Sequence, residues 1–555
     1  MKISFFKYVI LSGLLGTSAV IFAQDKKDEA TNSALNEEIE IVRPYKPILA
    51  DAVKIKINPD LTDNKPFKPQ LTYSILDKKL ELNTNIAPLQ SRGLTAERET
   101  ILKNNYVKVG AGSLNTGLAE IYLNTGKDEG LQAGVFIRHL SQQGSINKQQ
   151  FSNQQIGVFG RSIYDQITIN GKVSYDRKAT YFYGISPSLP VPSADPAKQR
   201  FNIFEADGEL MSNYDEDSEE LKYAVKANVY SFSNIFKGRE RAALISAGGS
   251  KALNKFDFGL QASADFTGAE DSLYSISNTI LRANPYVKYG TDAVLLNVGL
   301  NLVQETGLKN RLNVLPAVSA EFQIKEDYAR LFTGINGDVL KTSLRDMSLE
   351  NPYLNNNVII QNAVEKSNIY GGVKGNAGSS FGYKVMVSYK TIENLPLFMN
   401  DSLNVNRFNI IYDQGKSNTL GFEGEISIKK SDMFSLTSKI QFANYNMATE
   451  EAWFKPGIRL LTNVKGQITK KLSLDGEVLF NGETSAKVIS LIPIRKEQII
   501  MVKSFIDFSM GTEYRINNKL GLYIRANNIL GTQYQQYLYY QKLGLNIFGG
   551  VNFSF

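Results

Sequence analysis

From residue 519 to the end of the chain, apolar residues alternate with small or polar ones at a period of two. Leu545, Ile547, Gly549, Val551, Phe553 and Phe555 fall on one face of the closing segment, and Phe548, Gly550, Asn552 and Ser554 on the other. In the segment before it, Leu520, Leu522, Ile524 and Ala526 oppose Gly521, Tyr523, Arg525 and Asn527. Side chains alternate across a strand, so each segment has one apolar and one wet face. A strand between lipid and an aqueous lumen needs that division, and in a bilayer the sheet must close because an open edge leaves backbone groups unpaired in hydrocarbon.

The same texture runs back to Tyr106. Leu420, Phe422, Gly424, Ile426 and Ile428 face outward against Gly421, Glu423, Glu425 and Ser427, and Ile506, Phe508, Met510, Thr512 and Tyr514 face outward against Asp507, Ser509, Gly511 and Glu513. Carboxylates on the inner face exclude a soluble sandwich, whose inner face is apolar. After the amino terminus no apolar run approaches the roughly 20 residues of a spanning helix. The reading is therefore all-β: a large antiparallel transmembrane β-barrel over 105–555 with about 20–22 strands. Connections near the end support it, being tight at 431–432, 470–471 and 517–518 and long at 446–456, 481–503 and 531–543. Short turns at one rim and long loops at the other give that alternation. Strands are expected at 404–413 and 419–429 among others, although the parity of turns becomes ambiguous at 393–418, where one strand is missed or split. The Pro-rich stretch 186–198 reads as a further external loop.

Residues 1–23 read as a secretory signal peptide, with Lys2 and Lys7 before a short apolar run and cleavage after Ala23. No Cys follows that site to carry a lipid anchor. Residues 24–104, with Pro44, Pro47, Pro59, Pro66 and Pro69, have the composition of an extended periplasmic arm or a reduced plug. An even strand count places both termini in the periplasm of a Gram-negative cell, with the barrel in the outer membrane. The formal net charge of +7 falls when Lys2 and Lys7 leave, and an exported chain with so small an excess gives no reason to expect a nucleic-acid partner. With 0 Cys and 1 His, thiolate sites, disulfides and multi-His metal sites are excluded.

The segment Asn527-Asn528-Ile529-Leu530-Gly531-Thr532-Gln533-Tyr534 and the strand ending at Phe555 resemble the carboxy-terminal signature of TonB-dependent outer-membrane receptors. Leu543-Gly544 stands where that signature usually has Pro-Gly. The resemblance implies a receptor-type barrel, yet 24–105 is too short for the full plug domain of such receptors. Glu38, Ile39, Glu40, Ile41 and Val42 resemble a TonB box, the segment offered to TonB as an added strand; a linker or a strand for another partner is the alternative. Val551, Phe553 and Phe555 are expected to serve barrel closure and recognition by the barrel assembly machinery.

Other candidates are sparse. His139 reads as structural or lumen-facing, Asp215-Glu216-Asp217 as a solvated turn before a Ca²⁺ site, and Trp453 as a ligand or partner contact or an interfacial anchor. Neither catalytic residues nor a cofactor is expected, since one His and no recognisable motif cannot assemble acid–base chemistry. Three functions remain: transport or uptake across the outer membrane, an accessory barrel of an assembly or secretion complex, and a passive porin. Their partners would be outer-membrane lipid together with TonB, an outer-membrane lipoprotein or a partner barrel.

Overall fold

The computed structural model describes residues 105–125, 130–184, 197–213, 220–325, 328–378, 380–430, 433–490 and 495–555. The signal region, the arm with Glu38 to Val42, the loop 186–196 and Asp215 to Asp217 lie outside the described residues. Period-two segments pair with their chain neighbours into a 22-stranded antiparallel sheet, which closes when β1 (Tyr106–Gly112) pairs with β26 (Asn546–Ser554). At this seam the Phe555 N–H donates to the Asn105 carbonyl at 3.0 Å and the Asn105 N–H to the Phe555 carbonyl at 2.8 Å. On its other side β26 pairs with β23 (Leu520–Asn527), so the last strand holds both edges of the closure. Gly110 and Gly550 face each other across the seam, and a Cβ on Gly550 would collide with the Val109 carbonyl at 1.9 Å, a close approach open only to glycine.

The faces follow the alternation. Leu522, Ile524, Ile547, Val551, Phe553 and Phe555 are exposed outward, while Tyr523 and Phe548 point inward and pack with Leu118. Leu420, Phe422 and Ile426 are outward, and Glu423 and Glu425 inward on Lys439 at 3.0 and 2.9 Å. Near the rim where β1 begins and β26 ends, outward aromatic pairs gather, Phe256 with Tyr289, Phe381 with Tyr383, and Phe553 with Phe555. Rings of this kind suit the boundary between hydrocarbon and water.

The ambiguous stretch at 393–418 resolves as a split. The two segments expected at 404–413 and 419–429 are one strand, β16 (Phe408–Lys430), paired along its length with β15 (Phe381–Asn400). The register shifts between Glu393 and Leu395, where Asn394 takes a positive φ of 61°, and Gly415 takes a φ of 139°. These irregularities interrupt the alternation in mid-strand and give one strand the appearance of two. Along the two strands exposed large apolar residues stop at Tyr389 and Leu420, and beyond them only Leu403 at the tip is exposed, so 393–416 stands beyond the lipid band as a long distal extension.

Where β10 (Tyr274–Gly290) to β14 (Ala363–Ala377) approach the distal rim, the wall curls into a packed corner. Ile280, Val303, Leu315, Val339 and Val364 form its apolar cluster. Beside it Arg282 donates to Asp338 at 2.9 Å and to the Val339 carbonyl at 2.8 Å, while Asn301 donates to Asp338 at 3.2 Å. Arg282→Met would leave the Asp338 carboxylate buried without its cation, so a loss of roughly 3–5 kcal/mol is expected, read as a lower urea midpoint in detergent.

Candidate functional site

The distal loops converge over the barrel mouth and pack into a single core. The connection between β13 (Ala329–Leu340) and β14 carries a short helix, α1 (Leu344–Glu350), set by a local cap: the Ser343 hydroxyl accepts from the Asp346 N–H at 2.9 Å. Its first free N–H groups find Glu240 on β8 (Arg239–Leu253), Leu344 at 2.7 Å and Arg345 at 3.3 Å, and Tyr230 donates to the same carboxylate at 2.8 Å. Helix amides plus a carboxylate at the amino end form a favourable charge arrangement, which fastens the loop to the wall at β8. Lys341 adds an ion pair to Asp265 at 2.8 Å.

The loop between β23 and β26 crosses to meet it. That loop carries a small hairpin, β24 (Gln535–Tyr537) and β25 (Tyr540–Gln541). Tyr540 stacks on Tyr353 with ring centres 3.4 Å apart and meets Tyr183 edge-on at 5.1 Å. Its hydroxyl donates to the Asn406 carbonyl, that of Tyr183 to the Gln541 carbonyl at 2.9 Å, and that of Tyr537 to the Glu350 carbonyl at 3.0 Å. Phe408, Phe454 and Trp453 fill the remaining core. Rings buried with their polar tips bonded are the costliest groups to expose.

A second hairpin, β20 (Thr484–Ser490) with β21 (Lys496–Val502), arises within the connection expected as a plain long loop. Its Ala486, Val488 and Val502 pack down into the same core. Trp453 bridges to Ser485 of this hairpin and donates from its indole nitrogen to Glu450 at 2.9 Å. At 4% exposure Trp453 is a core residue, which corrects both expected roles, surface contact and interfacial anchor. His139 is corrected in part: it shares the outward face of β3 (Leu131–Gln143) with Val135 and Ile137, bonded to Ser141 at 3.2 Å, and Arg138 takes the inner face.

Asp413 on the distal extension of β16 organises the loop before β18 (Ile458–Gln467). Its carboxylate accepts from the N–H groups of Ala448 at 2.9 Å, Thr449 at 2.6 Å and Glu450 at 2.9 Å, and from the Ser417 and Thr449 hydroxyls. Burial alone would raise its pKa, but the bonds from Ala448, Ser417, Thr449 and Glu450 outweigh it and hold the group down at about 2 against an ordinary 3.8. A depressed carboxyl stabilises the fold above its ordinary pKa, and that contribution is lost as pH falls from about 4 to about 2. Asp413→Asn is expected to cost the loop about 2 kcal/mol at neutral pH and to remove the acid sensitivity. Fluorescence of Trp453, the one Trp of the chain and bonded to Glu450 in this loop, followed against pH and urea in detergent, measures both.

Beneath this roof lies a cavity of about 820 Å³. Its ceiling includes Met347, Glu350 and Tyr537, and its walls Lys390, Glu423, Arg459, Glu477 and Asp507. Arg525 on the same wall pairs with Asp475 at 2.7 Å, and Tyr534 donates to Asp507 at 2.6 Å. The mixed charges suit a polar occupant and no fixed sign. Among the described residues no group of three or more acids, His or Cys could hold a metal.

A closed 22-stranded antiparallel barrel with an apolar outer face, a polar lumen and a loop roof has the form of a large transmembrane β-barrel. No protein-family profile and no curated protein matches the sequence. Solved structures do. FrpB, an iron transporter from Neisseria meningitidis, superposes with a TM-score of 0.63 at 10% identity over 81% of this chain and 81% of that one. FpvA, the pyoverdine outer-membrane receptor of Pseudomonas aeruginosa, gives 0.62 at 13% identity over 82% and 79%. The ferric enterobactin receptor PfeA of the same organism, as a mutant, gives 0.58 at 11% identity over 81% and 80%. At these identities the likeness shows the fold, which is that of the TonB-dependent receptor barrels. It agrees with the carboxy-terminal resemblance.

Proposed function

We propose that the chain takes part in uptake across the outer membrane, with its termini in the periplasm and the distal loop core acting as a lid that parts for a substrate. The observation that carries this reading is the roofed polar cavity in a barrel whose structural relatives are described as receptors or a transporter for ferric siderophores and iron. A passive porin calls for a standing opening, and the aromatic core occupies that position. The residues 37–44 then act as a strand for a periplasmic partner, TonB in this reading, through backbone pairing that can carry a pull.

An accessory barrel is the second reading, favoured by one feature: the distal centre holds buried rings where an external ligand would otherwise dock. The two separate in a purification of the protein from native membranes with and without 37–44. Loss of uptake with no stable partner lost supports energised transport, and Ile41→Pro should reproduce it by removing one backbone donor. A barrel or lipoprotein partner that co-purifies only with the intact segment supports the accessory role. If neither changes, both mechanisms built on the arm fail.

A further inference from the structure

We infer that the outer wall of β5 (Ile167–Tyr181), β6 (Lys198–Ser212), β7 (Lys222–Asn234) and β8, just distal of the lipid band, binds the phosphate headgroup of a membrane lipid. On each strand the outward series ends its apolar run and turns polar within one or two outward positions. Exposed Tyr175 is followed by Arg177, Phe204 by Asn202 and Arg200, Val229 by Ser231 and Ser233, and Ile245, after Ala243, by Arg241 and Arg239. Register brings these groups together: Arg177 faces Asn202, Asn202 faces Ser233, Ser231 faces Arg241 and Ser233 faces Arg239.

The centre of the patch is pre-arranged. Tyr175 donates to Asn202 at 3.0 Å and Asn202 to Ser233 at 3.5 Å, so amide and hydroxyls stand between the arginines. Among the described residues none of the four arginines closes an ion pair: Arg177 has only Gln154, at 3.5 Å, and the Arg200 Nε is buried without a partner. Glu270 stands across from Arg239 without pairing. Other strands differ. On β11 (Val294–Thr306) and β17 (Phe434–Asn446) the comparable outward positions are Gln304 and Asn444.

Four guanidinium groups of one sign repel each other unless an anion joins them, and a phosphate is the anion that their forked donors fit. The apolar surface directly below, Val173, Phe204 and Val229, meets the acyl chains of the same molecule. That continuity selects a lipid over a free anion. A cationic collar at this depth draws anionic headgroups by simple electrostatics. The inference needs only the barrel and stands apart from the uptake reading.

Native mass spectrometry of the full chain in a neutral detergent tests it, with phosphatidic acid, phosphatidylcholine and inorganic phosphate as probes. Retention of phosphatidic acid over phosphatidylcholine is expected, undisturbed by equimolar inorganic phosphate. Arg177→Gln/Arg200→Gln/Arg241→Gln should lower retention roughly tenfold or more. Should the triple variant lose its heat-modifiable gel shift, Arg241→Gln alone changes an exposed residue and should lower retention about threefold. Equal retention by the variant and the parent overturns the site, and displacement by inorganic phosphate reassigns it to a free anion and overturns the lipid.

Discussion

Removing Phe553 to Phe555 is expected to reduce the folded barrel in the outer membrane by about tenfold or more, while removing three residues from 186–198 leaves its level nearly unchanged. The deletion strips Phe553 from Leu520 and Val107, Ser554 from Tyr106, and both backbone bonds between Phe555 and Asn105. No other strand can take over, because β26 alone joins the two edges. An open edge inside hydrocarbon leaves backbone donors without water or partner, at several kcal/mol each. The readout is the heat-modifiable fraction in isolated outer membranes. Equal levels for the two deletions would contradict both the closure and the assembly role of Phe555.

Tyr540→Ala is expected to open the lid. The ring is 1% exposed and lies against Tyr353, Tyr183 and Phe408, contributed by three other segments. Truncating a fully buried aromatic costs about 3–5 kcal/mol, more than a loop assembly standing outside the barrel hydrogen bonds can absorb. Protease nicking within 528–545 should accelerate by more than tenfold. Tyr540→Phe keeps every ring contact and loses the hydroxyl's bonds to the Asn406 carbonyl and from the Gly184 N–H, so a cost of about 1–3 kcal/mol and much less opening are expected. Barrel heat-modifiability should survive both changes, since neither touches the strand ladder.

The strands could be read from the sequence because their signal is local. One residue in two must be apolar, and Leu420, Phe422 and Ile426 declare their face without reference to any other segment. The short-turn and long-loop alternation is equally local, and it flagged 393–418 as the place where the count failed. There the cause was a bulge beside Asn394 and Gly415, which breaks the period while the pairing continues. Helix α1 left one legible mark, the Ser343-x-x-Asp346 spacing of a cap, which the surrounding strand texture obscured.

The lid was not legible at all. Its core joins Tyr183, Tyr353, Phe408, Trp453 and Tyr540, whose separations in sequence reach hundreds of residues. Tyr183 follows Phe182, Trp453 precedes Phe454 and Tyr540 follows Tyr539, short aromatic groups of a kind shared by interfacial anchors and ligand contacts. Trp453 illustrates the difficulty, for only its bond to Glu450 and bridge to Ser485 distinguish a core side chain from a surface one. Buried polar pairs such as Arg282 with Asp338 are hidden likewise, since on a lumen-facing strand a charge is the ordinary expectation.

The central claim is that the distal mouth is roofed by a folded loop core and not by open loops. Hydrogen exchange of the purified full chain, read by mass spectrometry on peptides covering 344–354 and 535–541, tests it most directly. Protection of these segments approaching that of the barrel strands, and its loss in Tyr540→Ala, is the expected result. Exchange of both segments as fast as an unstructured peptide would show an open mouth and contradict the lid.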